Sequence, residues 1–159
     1  MGLSAPFVLL APLRVGEADA ARAAIAALEE PFARVPGTHL ARIQVLRPPP
    51  RRFRGTTNDY LLLAADHDGP AESWLAAAAR ELDAVLAHCA FWPGAADQAE
   101  VVRWARAREV RVGFSVVGAP HATVEDVGEA LALRRFLSRF ATETAGFDDD
   151  ALHAAWLAR

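Results

Sequence analysis

The chain has no lysine, so all 17 of its basic residues are arginine. Acidic residues outnumber them at 20, and the net charge of −3 argues against general binding to nucleic acid or to an anionic membrane. A single cysteine, Cys89, excludes an intramolecular disulfide and any cysteine-rich zinc site. No apolar run is long enough to span a bilayer. The opening MGLSAPFVLLAPLRVGEAD also lacks a basic leader region, and Pro6 stands where a myristoylation signal needs Ser or Thr. There is no glycine-rich phosphate loop; VVGAP (116–120) has neither nucleotide-binding spacing, and no serine-centred nucleophile elbow occurs. These absences predict a soluble, cytoplasmic protein with no metal or bound cofactor.

Core material, by contrast, is abundant. Apolar residues make up 53% of the 159, enough for one domain. FVLLAPL (7–13) reads as a buried strand, and THLARIQVL (38–46) as a strand with Ala41, Ile43 and Val45 on one side and Arg42 and Gln44 on the other. DYLLLAAD (59–66) is a third strand, apolar on both faces, and VRVGFSVVG (110–118) a fourth. Between strands one and two, Ala21, Ile25, Leu28 and Phe32 form a helical stripe; after strand three, Trp74, Ala78, Leu82, Val85 and Cys89 form a longer one. That second helix is expected to start at Gly69 as N-cap with Pro70 in its first turn. ADQAEVVRWARARE is a shorter helix. TVED (123–126), close to a capping box, opens another with Val127, Leu131, Phe136, Leu137 and Phe140, and a last short helix follows Gly146.

The order β-α-β-β-α-(α)-β-α matches the split βαβ, or ferredoxin-like, α+β arrangement, with four antiparallel strands and helices on one face. The reading is one domain over 1–159, with a core at about 7–118 and a helical extension at about 123–159. Strand one carries Val8 and Leu10 opposite Phe7 and Leu9; strand three carries Leu61 and Leu63 opposite Tyr60 and Leu62. With both faces apolar, the face away from the helices needs a cover. The C-terminal helices or a second subunit would supply it.

The helix, PFARVPGTHLARIQVL, then DYLLLAADHDGP, then the helix ending in AHCAFWPG resembles bacterial members of the dimeric α+β-barrel superfamily. That group includes cofactorless monooxygenases, polyketide cyclases, chlorite dismutases and dye-decolorising peroxidases. The resemblance covers roughly residues 7–118 and is mostly topological. It implies a homodimer or larger assembly, and a cavity between the sheet and its cover for small, often aromatic molecules. The peroxidases' GxxDG pattern is absent, since DHDG (66–69) supplies only its last two positions.

Four groups of residues offer chemistry. In DHD (66–68) Asp66 and Asp68 share a strand face and His67 points away, so the three do not chelate one ion. Cys89, at a helix end and on the apolar stripe, is expected to be a buried structural thiol, with His88 a C-terminal dipole partner. Arg42 and Gln44, joined by Arg111 and Ser115 from strand four, would line a ligand site on the uncovered face among Val8, Leu10, Leu61 and Leu63. His39 or His67 would transfer protons there and Arg42 would hold an anionic oxygen. The fourth group is the loop with Arg47, Arg51, Arg52 and Arg54 around PPP, whose charge complements the acidic tail Asp148, Asp149 and Asp150. Two functions follow: a small-molecule-binding protein, catalytic without a cofactor, acting on an anionic or aromatic metabolite; or a non-catalytic module that assembles through loop and tail.

Overall fold

The structure, a computed structural model, describes residues 4–47, 58–113 and 122–158. It is an α+β protein. Strands β1 (Ser4–Pro12), β2 (Thr38–Leu46) and β3 (Tyr60–Asp68) form one antiparallel sheet in the order β1-β3-β2. Helix α1 (Ala18–Ala26) and a 3₁₀ turn (Pro31–Arg34) join β1 to β2. Helices α2 (Ala71–Glu81), α3 (Asp83–Leu86) and α4 (Gln98–Arg106) follow β3. The chain divides into two compact units, Met1–Val124 and Glu125–Arg159. The second holds most of α5 (Val124–Glu143) and all of α6 (Asp149–Leu157). Among the described residues, no helix is long and apolar enough to cross a membrane.

Alternation decides the core of the first unit. Odd-numbered side chains of β1 and β3 (Phe7, Leu9, Ala11, Leu61, Leu63 and Ala65) are buried. They share one cluster with Trp74, Ala78, Leu82, Val85 and Cys89, the stripe read from the sequence. Even-numbered side chains such as Val8, Leu10, Leu62 and Ala64 are only half-buried, on the opposite, outer face. The facing of β3 therefore needs correcting. Leu9 pairs with Leu63 and Ala11 with Leu61, so Leu61 and Leu63 lie on the helix side. Leu62 and Ala64, not they, neighbour Gln44 and Arg42 across the sheet.

The fourth strand is present only as a foothold. Leu10 N–H donates to Arg108 O at 3.1 Å, and Val110 N–H to Val8 O at 2.8 Å, with one bridge between Leu9 and Glu109. Residues 111–113 are not in a ladder, and 114–118 fall outside the described residues, so a four-stranded sheet is not shown. Farther along the same edge of β1, Ala90 N–H donates to Pro12 O at 2.8 Å and Arg14 N–H to His88 O at 2.9 Å. Two short segments thus occupy the outer edge of β1 and satisfy its backbone groups.

Helix starts differ slightly from expectation. Pro70 is itself the N-cap of α2, in an extended conformation, and Gly69 makes the turn before it at φ +74°. The cap of α4 is Asp97, whose carboxylate accepts from Ala99 N and Glu100 N. In the second unit, Phe136, Phe140 and Trp156 form an aromatic cluster joining α5 to α6, with Phe140 and Trp156 edge to face at 5.3 Å. Neither helix has a buried side chain.

Candidate functional site on the outer face of the sheet

The outer face carries a hollow of about 250 Å³ lined by Val8, Leu40, Arg42, Ala64, Asp66 and Val112. Strand alternation puts these residues together. Arg42 pairs with Ala64 and Leu40 with Asp66 across β2–β3, while Val8 pairs with Ala64 across β1–β3. Leu40 is 66% exposed. Arg42 donates to Gln44 Oε1 at 2.8 Å and has no carboxylate partner among the described residues. Arg111 is exposed beside Val112; Ser115 lies outside the described residues.

At one end of this face stands a histidine–carboxylate pair. The β2–β3 register slips between Thr38 and Leu40, which makes His39 the residue of a β-bulge. Bulges re-aim side chains, and this one brings His39 Nε2 to 2.7 Å from Asp68 Oδ1. Asp68 is held from several sides: its Oδ2 accepts from Val124 N at 2.9 Å, and its own N–H donates to Gly37 O at 2.8 Å. Gly37 is required there. It sits at φ +75°, and a Cβ would meet the Asp68 Cβ at 3.3 Å. A carboxylate on one ring nitrogen fixes the tautomer and orientation of an imidazole, which leaves the other nitrogen for proton exchange. Arg42 is three positions along β2 from His39, about 10 Å.

His67 belongs to the opposite side. It is 0% exposed and stacked on Trp74, with ring centroids 5.1 Å apart. Its Nδ1 bonds Asp68 O at 3.2 Å, and its Nε2 has no partner among the described residues. Elsewhere on the helix side, the hollow among Leu9, Leu63, Leu75 and Trp92 measures about 10 Å³, at most one water. The two candidate histidines are therefore not brought together, and only His39 shares an end of the sheet with the outer-face residues.

Among the described residues, no three of His, Cys, Asp and Glu gather as metal ligands. Cys89 is 1% exposed, and burial pushes its thiol up to about 12, so it is not a thiolate nucleophile near neutral pH. Its neighbour His88 bonds Glu17 Oε2 at 2.6 Å through Nδ1, and that bond holds the Glu17 carboxyl below its usual range. Of the arginine loop, Arg47 donates to Asp59 at 3.2 Å at the base of the hairpin; Arg51, Arg52 and Arg54 lie outside the described residues. In the tail, Asp148 caps α6 by accepting from Ala151 N, and Asp149 and Asp150 sit in its first turn. The second unit has wider hollows; the one between Arg135, Phe136, Arg139 and Phe140, about 310 Å³, is lined by α5 alone.

The sequence pointed to Arg42, Gln44 and His39 but not to their setting. Asp68 lies 29 residues from His39 and meets it only through strand pairing. Asp66 read as a polar strand end, and Leu40 and Val112 carried no signal beyond alternation. No protein-family model, no curated protein and no solved structure matches this chain.

Proposed function

We propose that this protein binds a small anionic metabolite with an apolar or aromatic body on the outer face of its sheet. Arg42 holds the anionic oxygen, with Gln44 fixing its fork, and His39, oriented by Asp68, exchanges a proton with the ligand. The observation that carries this reading is Arg42 itself. Exposed on the sheet face, it lines a mostly apolar hollow of about 250 Å³ and has a neutral amide as its hydrogen-bond partner among the described residues. Ligand pockets have that character, mostly apolar with a few placed polar groups.

The architecture around it is a ferredoxin-like sheet with a fourth strand along the outer edge of β1, begun by residues 108–110, and a second copy laid over the outer face. In support, the order β1-β3-β2 leaves that edge for a fourth strand, and Arg108 and Val110 are already bonded to it. Leu10, Leu62 and Leu40 give the face the apolar character an intersubunit cover needs. Assembly through loop and tail has less behind it, because Arg47 and Asp148 are engaged locally, with Asp59 and with the α6 N-terminus.

Benzoate is the probe. Titrated into the labelled protein, it is expected to shift the amide resonances of Val8, Leu40, Ala64 and Val112. Arg42→Leu removes a charge-assisted bond worth roughly 1.5–3 kcal/mol, so binding weakens about tenfold to hundredfold. Shifts elsewhere, or equal affinity in R42L, would overturn the reading.

A further inference from the structure

We infer that the ligand of the outer face is a zwitterion, a small molecule bearing both a carboxylate and a protonated amine on an apolar body. The inference rests on the reading of that face as a ligand site and adds the second charge.

The evidence is Asp66. It lines the same hollow as Arg42, is half-buried, and makes no hydrogen bond or ion pair among the described residues. Its neighbours there, Val8, Leu40, Ala64 and Val112, are all apolar. Half-buried beside apolar walls, the Asp66 carboxylate is open to a cation that enters the hollow. Arg42 does not fill that role. It pairs in register with Ala64, one step removed from the Leu40–Asp66 pair, and makes no ion pair with Asp66. Diagonal neighbours of this kind stand about 7–8 Å apart.

A purely anionic ligand would be attracted by Arg42 and repelled by Asp66 from within one small hollow. A ligand with both charges turns the repulsion into a second contact. Its carboxylate takes the Arg42 fork and its ammonium takes Asp66. Both side chains line the one hollow, so a single small ligand can reach both. Val8, Leu40 and Val112 then receive an aliphatic or aromatic side group.

The test is a titration of the full chain, followed by calorimetry, with three probes: L-leucine, N-acetyl-L-leucine, which keeps only the anion, and L-leucinamide, which keeps only the cation. Leucine is expected to bind about tenfold more tightly than either of the others. Asp66→Asn should abolish its advantage over the acetyl derivative while that derivative still binds, and Arg42→Leu should abolish its advantage over the amide. Unchanged melting temperatures of the two variants would show that both fold. If N-acetyl-L-leucine binds the native protein as tightly as leucine, the zwitterion is wrong and the anion site stands. If none of the three binds while benzoate does, the zwitterion is likewise wrong; if benzoate fails too, both readings fall. If D66N and R42L leave binding alone but lower the native mass, the two charges pair between copies, and the inference is overturned.

Discussion

Thr38 connects three parts of the fold through one hydroxyl. It donates to Val35 O at 2.8 Å and accepts from Trp74 Nε1 at 2.9 Å, and Trp74 in turn carries the His67 ring on its face. Thr38→Val keeps the shape but leaves a buried indole N–H without a partner, which costs about 1–3 kcal/mol. Urea unfolding should show a lower midpoint at an unchanged slope. Glu17 gives a pH-dependent counterpart. Its carboxyl is held below the ordinary value of 4.5, first by the His88 bond and then by Arg14. A depressed carboxyl contributes stability that is complete above its unfolded value and disappears as pH falls through the lower folded value. The stability gap between the native protein and Glu17→Gln should therefore hold steady above pH 4.5 and close as pH falls below it, followed by thermal melts at a series of pH values.

At the scale of elements, the periodic segments were legible in the sequence and the pairings were not. The stripe from Trp74 through Cys89 is buried at all five positions, although the single helix expected there is broken at Leu82 into α2 and α3 and Cys89 lies beyond α3. β2 has the bounds its alternation predicts. β3 could not be oriented in advance, since Tyr60 to Leu63 are apolar whichever way they face, and only the register with β1 decides. The bulge at His39 is a one-residue slip imposed by pairing with β3, and nothing local announces it. The break after α3 is another such feature. Phe91 stands there at φ +58° and 86% exposed, a left-handed conformation without compensating contact. Such a conformation costs a side-chain-bearing residue about 1–2 kcal/mol, and glycine's extra freedom when unfolded returns about 0.4–1 of that. Phe91→Gly is therefore expected to raise stability by about 0.5–1 kcal/mol in urea unfolding.

For the whole molecule, the native mass tests the proposed cover of the sheet. Size-exclusion chromatography with light scattering should give a dimer that persists at high salt, since an apolar contact is not screened. A monomer at both salt levels would remove the second copy from the proposal, and a species that dissociates in salt would return attention to the arginine loop. The sheet's two rims also behave differently toward foreign chains. Residues 88–90 and 108–110 already bond to β1 at Val8, Leu10 and Pro12, so an incoming extended peptide finds those positions taken. Among the described residues, β2 has a ladder partner only in β3, which leaves its far rim as the place where strand addition, and the growth of aggregates in a heated or concentrated sample, would begin. The irregularity at His39 and the charge of Arg42 lie on that same strand, so the features on which the proposed site rests also make it a poor template for stacking.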